Sequence, residues 1–173
     1  LSGVATLTGN FKEAKNVLVV TASTDARTLD ARASRGPTFD GRVKPELTAY
    51  GVDGTSDAAA LVSGVGLLIQ QMYREQVGKL PAAALIKAIL VASSRDIGSK
   101  GIDFTSGYGE VQADRALSLT ERRQFWEDTL SASPRQWQVS LGEGLKQWQL
   151  ALAWTDPAAQ AGANSILVHD LDV

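Results

Sequence analysis

Cysteine is absent from the 173 residues, which excludes disulfides and a thiolate zinc site. Charge of one sign is also lacking. Seventeen basic residues face nineteen acidic ones, for a net charge of -2. A nucleic-acid partner would ordinarily announce itself as a basic face, so none is expected. No apolar run is long enough to span a bilayer, and no membrane partner is expected. Histidine is scarce, with His169 the single example. Repeats, low-complexity linkers and a signal-peptide n-region are missing too. A chain opening on Leu1-Ser2-Gly3-Val4 rather than Met reads as a processed piece or fragment.

What is present is an ordered series of patterns. Asn16–Ala22 is a short apolar run rich in β-branched residues, the mark of a buried parallel strand. Ala33–Pro37 and Phe39–Arg42 carry turn residues. Arg35, Asp40 and Arg42 read as a turn held by ion pairs in preference to a basic substrate patch. Lys44–Ala49 is extended, and Gly51 and Gly54 then break the chain. From Ser56 to about Val77 the spacing predicts a long helix, with Leu61, Val65, Leu68, Met72 and Tyr73 as its apolar stripe. Small residues crowd its first half, which suggests close packing on a sheet. Gly78 is the expected C-cap. Leu80-Pro81 opens a second helix striped by Leu85, Ile86, Ile89 and Leu90.

Past Leu117 the texture changes. Thr120–Trp126 is polar, either a linker or a first strand. Gln136–Leu141, Gln147–Trp154 and Ile166–Val173 alternate polar and apolar residues, as half-buried antiparallel strands do. A domain boundary is therefore placed near residue 120, giving units 1–119 and 120–173. Trp137, Trp148 and Trp154 fall on these strands, and with Trp126 they are expected to pack as core.

Chemistry concentrates in Gly54–Gly64. Ser56 stands at a glycine-led turn opening a long helix. Free N–H groups and a partial positive charge there favour a developing oxyanion. Serine is equally a preferred N-cap, so the segment alone also fits a purely structural role. An α/β-hydrolase elbow needs glycine two residues either side of the serine. Gly54 supplies one, but Ala58 occupies the other position.

The flanking residues decide between these readings. Ala33-Ser-Arg-Gly-Pro37, Lys44-Pro-Glu46 and Gly54-Thr-Ser56, in that order, resemble the corresponding block of subtilisin-like serine proteases. Lys15–Ala22 is similar to the strand preceding that block. Gly107–Val111 with Ala113–Ala116 resembles the segment that closes the protease domain. Leu152–Pro157 and Leu167–Asp172 resemble a β-domain that follows it in some members. The resemblance implies an α/β fold: the C-terminal half of a subtilisin-like parallel-sheet domain, followed by a partial antiparallel, jelly-roll-like β-sandwich.

It further implies a serine endopeptidase acting on a polypeptide substrate, with Ser56 as nucleophile. The family's chain order of aspartate, histidine, serine places the other two triad members upstream, in a missing N-terminal part. The stretch by itself is then expected to be inactive and prone to self-association through an unpaired sheet edge. A secreted or cell-envelope location follows from the resemblance. His169 is expected to be a strand residue without a catalytic role, and Gly9-Asn10 not to be the oxyanion donor. No cofactor is needed for the chemistry. Related β-domains often hold structural calcium, for which Asp156, Asp170 and Asp172 are the oxygen donors available.

Three departures from the family pattern stand out. Tyr50 replaces a proline, with only a short connection to Gly54. Asp57 replaces a methionine beside the nucleophile, where a second charge about 7 Å from an oxyanion costs on the order of 2 kcal/mol at an effective dielectric near 20. Ala60 replaces a proline. These raise the alternative of a non-catalytic relative that serves as a binding or structural scaffold.

Overall fold

The computed structural model describes residues 11–25, 28–129, 136–144, 148–163 and 165–171. Gly9-Asn10 and Asp172 lie outside them. A short 3-10 turn, Phe11–Glu13, leads into β1 (Val20–Ser23), which pairs in parallel with β2 (Leu47–Tyr50) in the register Val20–Leu47 to Ser23–Tyr50. Helices α1 (Thr55–Val77), α2 (Ala83–Ala92) and α3 (Ala113–Glu121) follow. Residues 108–111 extend the sheet beyond β2. The Thr48 N–H donates to the Gly109 carbonyl and the Val111 N–H to the Thr48 carbonyl, each at 2.9 Å. β2 is thus covered along both edges, and Leu47, Thr48 and Ala49 are all buried.

The parallel sheet and long helix agree with the sequence, while several details are corrected. β1 begins at Val20, four residues later than the apolar run, because Lys15–Val17 are spent on a turn. Pro81 precedes the first turn of α2, whose N-cap is Ala82. α3 runs to Glu121, so Thr120 is neither linker nor strand. It is fully buried, and its hydroxyl donates to the Ala116 carbonyl.

The apolar stripe of α1 is displaced. Ala58, Val62, Val65, Ile69 and Tyr73 face inward, and Leu61, Leu67 and Leu68 lie on the exposed flank. Periodicity permits both lines. The junction with β2 chooses between them: a Cβ on Gly51 would lie only 3.1 Å from the Ala58 nitrogen, so the helix enters with Ala58 toward the sheet. Ile69, Leu47 and Leu90 then form the centre of the core, each contributing roughly 1.5–3 kcal/mol on burial. Gly78 caps α1 at φ 81°, its N–H donating to the Arg74 carbonyl at 2.8 Å.

Beyond α3 the described residues contain no strand, so the alternating segments there do not pair. A strand needs a neighbour for its N–H and C=O groups and a second layer for its apolar face. Residues 136–144 have neither and are exposed throughout. For the same reason Trp126, Trp137 and Trp148 are about half exposed and not core. Only Trp154 is partly covered, its enclosed Nε1 lacking a partner among the described residues. Near α3 the chain is held by Phe125, whose ring packs 5.8 Å from that of Tyr73, and by Glu127, which accepts the Tyr73 hydroxyl at 2.5 Å.

Candidate active site

β1 and β2 end side by side at Ser23 and Tyr50, and the chain passes from β2 into α1 through four residues. The Gly51 N–H donates to the Ser23 carbonyl at 3.2 Å, tying the turn to the end of β1. The Gly54 N–H then donates back to the Gly51 carbonyl at 3.3 Å. Gly54 sits at φ 101°, ψ -150°, where a side chain is strained. A Cβ on Gly51 would lie 2.1 Å from the Gly54 carbonyl oxygen. Both glycines are therefore requirements of the turn.

This turn delivers Ser56 as the second residue of α1, just outside the carboxyl end of a parallel strand. Open α/β sheets place ligands at that end. Ser56 is exposed, and its hydroxyl has no partner among the described residues. The N-cap is Gly54, so the capping role that competes for Ser56 is taken by another residue. The first intrahelical bond runs from the Ala58 N–H to the Gly54 carbonyl at 3.3 Å. The N–H groups of the residues before it stand at the positive end of a helix of 23 residues. The arrangement offers a hydroxyl and anion-stabilising donors at one point.

Asp57 is turned to the preceding loop. Its Oδ2 accepts the Asp53 N–H at 2.9 Å, which closes the turn from the helix side. Asp30 and Arg32 lie on the other side: a Cβ on Gly54 would meet the Arg32 guanidinium at 3.6 Å and the Asp30 carboxylate at 3.9 Å. Hydrogen bonds from the Arg32 side chain and backbone hold the Asp30 carboxyl at about 2. Beneath the turn, the buried Ser23 hydroxyl donates to Glu110 Oε1 at 3.3 Å, and Arg95 pairs with the same carboxylate. None of these supports was found from the sequence. The one available signal was the Asp30-x-Arg32 spacing, which brings two opposite charges together within a turn.

Asp40 and Arg42 form the expected ion pair at 2.9 Å, and Arg42 also donates to the Glu13 carbonyl, consistent with a structural turn. His169 lies on a bend and not on a strand. Its Nδ1 is 3.2 Å from Asp156 Oδ1.

Comparison with known proteins gives a consistent result. The Dictyostelium discoideum serine protease/ABC transporter B family protein tagA is 24% identical over 190 residues, covering 80% of this chain and 11% of that protein. The crystal structure of a lanthipeptide protease superposes with a TM-score of 0.51 at 24% identity, over 63% of this chain and 44% of that one, and shows the same fold. The prenylagaramide maturation protease PagA gives 0.49 at 20% identity, over 61% and 44%. The chain thus spans less than half the length of these relatives. Residues 6–109, more than half of the chain, match the subtilase family profile, and the chain belongs to the subtilase family.

Proposed function

We propose that these residues are part of a serine endopeptidase in which Ser56 is the nucleophile. One observation carries the proposal: the exposed Ser56 hydroxyl, without a partner among the described residues, stands at the start of α1, on a turn that only glycine can make at Gly54. A histidine takes the Ser56 proton and an aspartate orients that histidine, both supplied by polypeptide outside these residues. Ser56 Oγ attacks the scissile carbonyl of a polypeptide. The N–H groups opening α1 lower the energy of the resulting oxyanion. Family membership and the serine-protease relative support this reading.

The same reading makes these 173 residues inactive by themselves, since two of three triad members are elsewhere. It also gives the exposed flank of α1, with Leu61, Leu67 and Leu68, a face against the rest of the protease domain. A secreted or envelope location accompanies the family. The test is casein hydrolysis by the full-length protein and its Ser56→Ala variant. Loss of several orders of magnitude in kcat is expected, as in subtilisin, the reference system for that figure. Equal rates for the two proteins would remove Ser56 from the mechanism.

A further inference from the structure

Among the described residues beyond α3, Asp156 has a densely bonded side chain. It is 3% exposed. Oδ2 accepts the Lys15 ammonium at 2.6 Å and the Val168 N–H at 2.9 Å. Oδ1 accepts the His169 N–H at 2.9 Å and lies 3.2 Å from His169 Nδ1. The Asp156 backbone bonds reciprocally with the Asn16 side chain: the Asp156 N–H donates to Asn16 Oδ1 at 3.1 Å, and Asn16 Nδ2 donates to the Asp156 carbonyl at 2.9 Å. Lys15 also donates to the carbonyls of Pro157 and Ile166. The Asp156 carboxylate and Lys15 together thus join the turn before β1 to residues 156–157 and 166–169.

Asp156, bonded in this way, does not fit a calcium ligand. A calcium ligand needs lone pairs free to face a cation, with other oxygens converging on the same point. Both oxygens of Asp156 face N–H groups, and a lysine ammonium already supplies the positive charge. No group of three or more metal-binding side chains occurs among the described residues.

We propose that Asp156 is the anchor of a strap, through which residues 148–163 and 165–171 are fastened to the turn that begins β1. Lys15 supplies the counter-charge, and Asn16 sets the register by reading both the N–H and the carbonyl of Asp156. Gln149 adds a contact upstream, donating to the Val91 carbonyl at 3.3 Å at the end of α2. Between these points the strap borders an open cleft of about 600 Å³. Val43, Val91, Ile102 and Tyr108 of the body line it, with Leu152 and Leu167 of the strap. The strap grips the amino end of β1, opposite the end where the turn to Ser56 begins, and is independent of the proposed catalysis.

Hydrogen exchange on the full-length protein tests the anchor directly, because the Val168 and His169 amides donate to Asp156. In the wild type they are protected. In Asp156→Ala their protection falls about tenfold or more, the equivalent of a lost charge-assisted hydrogen bond, while the Ile69 amide in α1 is unchanged. Lys15→Met leaves the carboxylate but removes its counter-charge, and it gives the same local loss should Asp156→Ala unfold the chain. Equal exchange at Val168 and His169 in the wild type and both variants would overturn the proposal. So would protection in the wild type that rises with calcium and falls with a chelator, which would make Asp156 a metal ligand.

Discussion

Asp57 accepts the Asp53 N–H at 2.9 Å, so the residue beside the candidate nucleophile closes the turn that presents it. This gives a physical use for an aspartate where the family pattern has methionine. Its charge still opposes an oxyanion formed at Ser56. Asp57→Asn retains an oxygen for the Asp53 N–H and removes the charge. We expect kcat of the full-length protein to rise about tenfold or more, following from a repulsion on the order of 2 kcal/mol. An unchanged or lower kcat, with the fold intact by circular dichroism, would show that the charge is not felt at the reacting carbonyl.

Gly51 and Gly64 provide a matched pair. A Cβ at Gly51 would sit 2.1 Å from the Gly54 carbonyl oxygen, whereas a Cβ at Gly64, on the exposed face of α1, meets nothing within 4 Å. Gly64→Ala should stabilise by about 0.5–1 kcal/mol through helix propensity. Gly51→Ala should destabilise and displace the start of α1. Urea unfolding of both variants is the check, and opposite signs are the expected result.

Lys44 is 1% exposed and pairs with Glu46, which also accepts the Val19 N–H at 2.7 Å. Burial pulls the Lys44 ammonium below the ordinary lysine value even with Glu46 beside it. Lys44→Met leaves a buried carboxylate without its main partner and should cost about 3–5 kcal/mol. Adding Glu46→Gln removes that charge while keeping an acceptor for Val19. The double variant should therefore be more stable than Lys44→Met, as a double-mutant cycle would show.

Acid sensitivity follows from Asp30. Its folded-state value of about 2 lies below the ordinary 3.8, because Arg32 favours the charged form. The stabilisation is thus present above 3.8 and lost as pH falls from 3.8 toward 2. Asp156 has the same sign. Burial opposes its ionisation, but Lys15 and the N–H groups of Val168 and His169 more than compensate. A carboxyl NMR titration should place Asp30 near 2 and move it upward in Arg32→Ala, which removes the guanidinium but keeps the residue-32 N–H on Asp30 Oδ1. An Asp30 midpoint indifferent to Arg32 would contradict the pairing.

The sequence was most informative where local chemistry governs. The ends of α1 were legible because Gly54 and Gly78 adopt backbone conformations that favour glycine. β1 was legible from a continuous apolar run, and β2 only as an extended segment. The inward face of α1 was not, because two apolar lines overlap on that helix and a backbone contact at Gly51 selects one. The strands expected after residue 136 are not formed among the described residues, because alternation describes a half-buried strand only when a partner exists to pair with it. The pairing of Asp156 with Lys15, 141 positions away, could come only from the fold.

Covalent labelling of Ser56 tests the central claim most directly. The full-length protein would be treated with a serine-directed fluorophosphonate, digested, and the adduct located by mass spectrometry. The account predicts one modified peptide carrying Ser56, with labelling lost in Ser56→Ala and suppressed by a competing polypeptide substrate. Stoichiometric labelling at another serine, with Ser56 unmodified in a protein that still cleaves casein, would contradict it.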